Sequence, residues 1–163
     1  MAGVVRFSNP DTMEKPPGYT QVVEIAGSAR TIYIAGQLGV DKTGTFVGAA
    51  GDFQAQCMQA FENLKAALVS VGAGFKDVVK INNYLVDMSH IAIFRAVRDS
   101  YLNTAAPPAS TTVAIARLAR PGALFEIEAI AALPAKTATK SAAKPAGKRR
   151  SGRKVKVARR KRR

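Results

Sequence analysis

An α+β fold, with two helices laid on one face of a mixed six-stranded β-sheet, is predicted by three observations. Extended and helical patterns follow one another in the order β-β-β-α-β-α-β-β. Two stretches repeat apolar residues at helical spacing. Strand, helix and strand then succeed one another, which implies a right-handed crossover that returns the chain to the same sheet.

The first strand is short, Val4-Val5-Arg6-Phe7, and the turn signal Asn9-Pro10 closes it. The segment KPPGYTQVVEIAG makes a Pro/Gly loop that enters a strand over about Thr20 to Ala26. RTIYIAG follows as a third strand ending at Gly36, and the break at Gly27-Ser28 suggests that these two pair as a hairpin. After the polar loop DKTGTFVGAAGD, Phe53, Cys57, Phe61, Leu64, Leu68 and Val71 recur at helical spacing, with Asp52 to cap the start and Gly72 the end. DVVKINNYLVD reads as a strand, and SHIAIFRAVRDSYLN as a second amphipathic helix with Ile91, Phe94, Val97 and Tyr101 on one stripe. Thr111 to Arg117 and Leu124 to Ala132 are the last two strands, expected to close as a hairpin around Arg120-Pro121-Gly122.

Two helices on one face leave the other face open. If Phe125 and Ile127 of the last strand point to the helices, Leu124, Glu126, Glu128 and Ile130 point away from them. A half-apolar, half-charged sheet face of this kind is better explained by packing on another subunit than by water.

The charge of the chain is divided as sharply as its faces. Residues 1–135 hold 11 Lys and Arg against 11 Asp and Glu; residues 136–163 hold 14 Lys and Arg and no acid. The first segment reads as one domain with a sizeable core and the second as a basic tail. Cys57 and His90 are the only residues of their kinds, which argues against Cys/His metal ligation and Ser-His catalysis. The N-terminal MAGVVRFSNPDTMEK has no apolar signal region and no stretch is long enough to span a bilayer, so the expectation is a soluble intracellular protein with no membrane partner.

Taken together, PPGYTQ, AGQLGVD, ENLKAAL, FRAVRDSYL, PPAST and FEIEAIA resemble the RidA/YjgF family of imine deaminases, in order and from about Phe7 to Ala132. The resemblance implies a chorismate-mutase-like fold that assembles as a homotrimer, sheets forming a central barrel, with three small-molecule clefts at the subunit boundaries. In the family these clefts are lined by a tyrosine after the first Pro/Gly loop, the Gly of the GQ turn, an Asn on the second helix, an Arg and often a Cys on the next strand, and the first Glu of the EIE run. Tyr19, Gly36 and Glu126 fit that pattern. The resemblance implies no metal or organic cofactor: a carboxylate directs water onto an imine carbon and ammonia leaves. Glu126 and Tyr19 are the catalytic candidates; Gly36, Arg98, Ser110 and Thr112 are the substrate-binding ones.

The strand arginine is absent. Its position is Ser110 in PAST, and the cysteine position is Thr112. A serine hydroxyl replaces neither the charge nor the bidentate geometry with which a guanidinium holds a substrate carboxylate. Arg98 lies where the family often has the helix Asn, offering a cleft cation from the helix in place of the strand. Its plainer reading is a solvated helix residue or an intersubunit ion pair. Arg120 in the last turn is a weaker second candidate. Glu128 reads as structural or solvent-facing, His90 as a surface or capping residue, and Cys57 as an inert core thiol. KTGTFVGAAG lacks the Lys-Ser/Thr ending of a phosphate loop.

The tail, KTATKSAAKPAGKRRSGRKVKVARRKRR, has no aromatic residue and little to bury, and its composition resembles linker-histone tails; it is expected to be disordered. Lys148, Arg149, Arg150, Arg153, Lys154, Lys156, Arg159, Arg160, Lys161, Arg162 and Arg163 are its candidate contacts to the phosphates of DNA or RNA. Such a tail also suits a solubility or targeting extension. The resulting expectation is an imine or enamine hydrolase in the cytoplasm, at the nucleoid through its tail, or in the nucleus of a eukaryote. The alternatives are a non-enzymatic metabolite-binding protein localised by its tail and, last, a ribonuclease, for which the chain lacks a histidine pair.

Overall fold

The structure, a computed structural model, describes residues 4–135. The predicted tail lies outside them. Six strands and two main helices follow in the predicted order: β1 (Val4–Ser8), β2 (Val22–Ala26), β3 (Ala29–Leu38), α1 (Phe53–Ser70), β4 (Val78–Leu85), α2 (Ile91–Tyr101), β5 (Ala109–Ala114) and β6 (Phe125–Pro134).

The strands divide two and four. β1 and β2 pair antiparallel with each other, while the main sheet has the order β3-β6-β4-β5. β6 is antiparallel to both β3 and β4, and β5 is parallel to β4, so the sheet is mixed. Two expected hairpins are thereby corrected. β2 turns at Gly27 but pairs back onto β1, while β3 pairs with β6. β5 and β6 do not pair with each other; they flank β4 on its two sides. The chain between Ala114 and Phe125 is too long for the short loop that forces a hairpin, which leaves β6 free to insert between β3 and β4.

Both helices pack on one face. Asp52 caps α1 by accepting a hydrogen bond from Ala55 N at 2.9 Å. At the other end Gly72, at φ +76°, lets the Ala73 and Gly72 amides reach back to the Leu68 and Val69 carbonyls, a Schellman stop. Phe125 lies beneath both helices, with ring centroids 5.8 Å from Phe53, 6.2 Å from Phe61 and 5.5 Å from Phe94. Alternation along β6 then settles its two faces: Phe125, Ile127, Ala129 and Ala131 are buried under the helices, and Glu126, Glu128 and Ile130 look the other way. Among the described residues nothing covers that second face, where Tyr33 is 78% exposed. No described helix is long and apolar enough to cross a membrane.

Candidate functional site

Of the predicted site residues, Tyr19, Arg98, Ser110 and Thr112 are brought together, and Glu126 and Gly36 stand apart from them. The first four line a cavity of about 330 Å³ between α2 and the edge strand β5, roofed by the Pro17–Tyr19 loop; Phe94 and Arg95 complete much of its wall. Thr20 anchors the loop, its amide donating to the Pro108 carbonyl at 3.2 Å and its hydroxyl to Pro107. Gly18 sits at φ +85° directly over Arg98, where a Cβ would collide with the guanidinium.

Arg98 is not the solvated helix residue of its plainer reading, since it is 6% exposed. It follows Phe94 by one helical turn and so falls on the buried face of α2. Its Nε donates to Asp99 Oδ1 at 2.8 Å and its Nη2 lies 2.7 Å from the same oxygen. The remaining guanidinium hydrogens have no acceptor among the described residues, and the cavity wall contains Arg95 as well but no carboxylate. The cavity is therefore a cationic, donor-rich recess.

Behind that wall stands Asn83, a residue outside the predicted set. It is fully buried, and its Nδ2 lies 3.1 Å from Ser110 Oγ, 3.1 Å from the Thr111 carbonyl and 3.2 Å from Thr112 Oγ1. The sequence does carry a signal for it: Ile81, Asn83 and Leu85 share one strand phase, so an amide occupies a core position.

Glu126 and Gly36 form the second group, on the open face. Gly36 lies in an irregularity of the β3–β6 ladder between Ile34 and Gln37, and a Cβ there would occupy the place of the Glu126 carboxylate. Two residues on, Glu128 accepts from Asn82 Nδ2 at 2.7 Å and from the Tyr84 hydroxyl at 3.0 Å, the structural role expected of it. That bond pushes the Tyr84 hydroxyl above its ordinary pKa. Lys80, Asn82, Tyr33 and Glu128 border a recess of about 350 Å³ on this face.

The other candidates fall outside both groups. Arg120 donates to the Gly44 carbonyl and lies 4.8 Å over the Phe46 ring, bracing the long loop after β3. His90 is not simply a surface residue: it stacks on Phe53 at 4.4 Å, with Nδ1 buried. Cys57 is fully buried, and burial pushes its thiol up to about 12. The tail candidates lie outside the described residues.

Comparison with known proteins agrees with this architecture. The chain belongs to the family described as Endoribonuclease L-PSP, which it matches over residues 12–133. It is 39% identical over 119 residues to a RutC family protein of Pyrococcus horikoshii, covering 72% of this chain and 89% of that protein. It is 36% identical over 114 residues to the mouse 2-iminobutanoate/2-iminopropanoate deaminase, covering 69% and 79%. Its fold superposes on a Rid family protein of unknown function from Yersinia pestis with a TM-score of 0.69 and 35% identity, covering 79% of this chain and 98% of that one.

Proposed function

We propose that this protein is an imine or enamine hydrolase whose cleft is completed between copies of the chain in a homotrimer, and whose substrate carboxylate is anchored from the helix by Arg98 in place of a strand arginine. The observation that carries this reading is the division of the site. The Tyr19, Arg98, Ser110 and Thr112 recess opens at the β5 edge on the helix side, whereas Glu126 stands on β6, two strands away and on the opposite face. Two strand spacings are about 10 Å, too far for one small substrate to touch both groups through the sheet. A second copy docked at the free edge brings a Glu126 to each recess.

The chemistry needs only proton transfers. Glu126 takes a proton from water as its oxygen adds to the imine carbon. Through Glu126 the same proton passes to the nitrogen to give the carbinolamine; Glu126 then moves the hydroxyl proton to that nitrogen as the C–N bond breaks, so that the carbonyl forms and ammonia leaves. Tyr19 closes the recess over the substrate. The related mouse deaminase makes 2-iminobutanoate and 2-iminopropanoate the substrates to try first. Glu126→Gln should lower kcat by about 100-fold or more, the usual contribution of a general base. Arg98→Met, which keeps the packing on Phe94, should raise KM by about 10-fold or more. Hydrolysis untouched by both changes would overturn the reading, and Ser110→Arg should partly restore carboxylate binding to the Arg98 variant. The family description as an endoribonuclease is not carried over, because the sole histidine is stacked on Phe53 and borders neither group.

For the tail, 14 cations without an acid support sequence-independent binding to nucleic acid through phosphates. Full-length protein should bind two scrambled DNA duplexes equally, with affinity falling steeply as salt rises. A preference for one duplex above about 10-fold, the scale of one good base contact, would overturn this.

A further inference from the structure

We infer that Asn83 is a positioning residue that turns the Ser110 and Thr112 hydroxyls into donors aimed at the ligand. The inference rests on the reading of the β5–α2 recess as the seat of the ligand's anionic end. Its ground is a matter of hydrogen-bond polarity. The Thr111 carbonyl can only accept, so the end of the Asn83 amide that faces β5, 3.1 Å away, must be the NH2 group. The same nitrogen faces Ser110 Oγ and Thr112 Oγ1, at 3.1 and 3.2 Å; it has two hydrogens to share among the three oxygens and no lone pair to accept with, so neither hydroxyl donates to it.

A hydroxyl that accepts from one side turns its own hydrogen elsewhere. Neither Ser110 nor Thr112 donates to any described group, and both line the recess beside Arg95 and Arg98. The recess thus presents two hydroxyl donors and two guanidinium groups. Such a wall suits a carboxylate, which accepts from all four groups, better than an N–H donor, which the two guanidinium groups repel or ignore. A packing role alone does not account for Asn83, because its Oδ1 is buried without a partner and an apolar side chain in this core position would avoid that cost. In this chain the missing strand arginine is replaced by a divided device, with charge supplied from α2 and directional donors from β5 under the control of β4.

The test compares two ligands of one shape, 2-oxobutanoate and 2-oxobutanamide, titrated into the full-length protein by calorimetry. Wild type should prefer the carboxylate. In Asn83→Asp the introduced carboxylate must accept from the two hydroxyls, drawing their hydrogens away from the recess. Affinity for 2-oxobutanoate should then fall by about 10-fold or more while that for the amide changes little. Because the introduced charge also repels an anion directly, the loss should shrink when Asn83→Asp is combined with Ser110→Ala and Thr112→Val, and a loss of the same size without the hydroxyls would overturn the assignment. Equal weakening of both ligands, or no change in either, would overturn the assignment. Should Asn83→Asp fail to fold, Thr112→Val and Ser110→Ala supply the second arm: each should reduce the preference for carboxylate over amide, and an unchanged ratio would again overturn it. A wild-type protein that binds neither ligand overturns the anionic-recess reading together with this inference, whereas binding without imine hydrolysis removes only the proposed reaction.

Discussion

Burial acts on Cys57 and Arg98 in opposite ways, although both sit on helices packed against one sheet. A thiol taken out of water stays protonated, and burial pushes Cys57 up to about 12. A guanidinium has no neutral form to retreat to, so the buried Arg98 keeps Asp99 beside it and turns its spare donors to the recess. Tyr101 behaves like the thiol: burial first, then its hydrogen bond to Glu62 at 2.9 Å, pushes its hydroxyl up to about 12. Both groups are protonated in the folded chain at pH values where the unfolded chain, with values of 9.0 for the thiol and 10.0 for the phenol, has begun to ionise. Their contribution is complete below about pH 9 and is lost as pH rises toward about 12. Denaturant titrations at rising pH should show stability declining over that window. Cys57→Ala should begin less stable because it leaves a small cavity, and then decline less steeply. An identical slope in the variant would show that the thiol carries none of the effect.

At the scale of elements, order and type were legible and pairing was not. The helical stripe of α1 and the cap at Asp52 are local signals, and the period-two burial of β6 follows from Phe125 and Ile127 alternating with Glu126 and Glu128. Pairing depends on chain connections whose length weakens any local rule. Gly27 does mark a turn, yet the chain changes sheets there, because β1 already offers β2 a partner over five residues. β4 and β5 are parallel neighbours joined by α2, so the Pro-Gly turn near Arg120 connects two strands that never meet. The candidate site was legible to the same degree. Ser110 and Thr112, two residues apart, share a face of β5, and Arg98 follows from its spacing to Phe94. Asn83 escaped notice because its role lies across two strands; only the break it makes in an apolar phase marks it.

At the scale of the whole molecule, the proposed site makes a demand that a single chain does not meet. Residues that would act on one substrate are held at different places on one sheet: the recess at the β5 edge, and Glu126 on the uncovered face beyond β4. If each cleft takes its recess from one subunit and its Glu126 from a neighbour, two impaired variants, one in kcat and one in KM, should repair one another. Co-expression of Glu126→Gln chains with Arg98→Met chains would give trimers in which some clefts combine the intact Arg98 of one chain with the intact Glu126 of the next. With equal amounts and random assembly each of those two conditions is met half the time. About a quarter of all clefts in such a closed ring should then be wild type. The measurement is the rate of imine hydrolysis by the mixed trimers at substrate well below the wild-type KM, where both variants are slow, set against each variant purified alone and against wild type at the same concentration. Recovery near a quarter of the wild-type rate is the expected result, since the repaired clefts lack nothing. If the mixture were no faster than the mean of the two variants, Arg98 and Glu126 would have to serve the same cleft from one chain, and the division of the site across the sheet would lose its functional meaning.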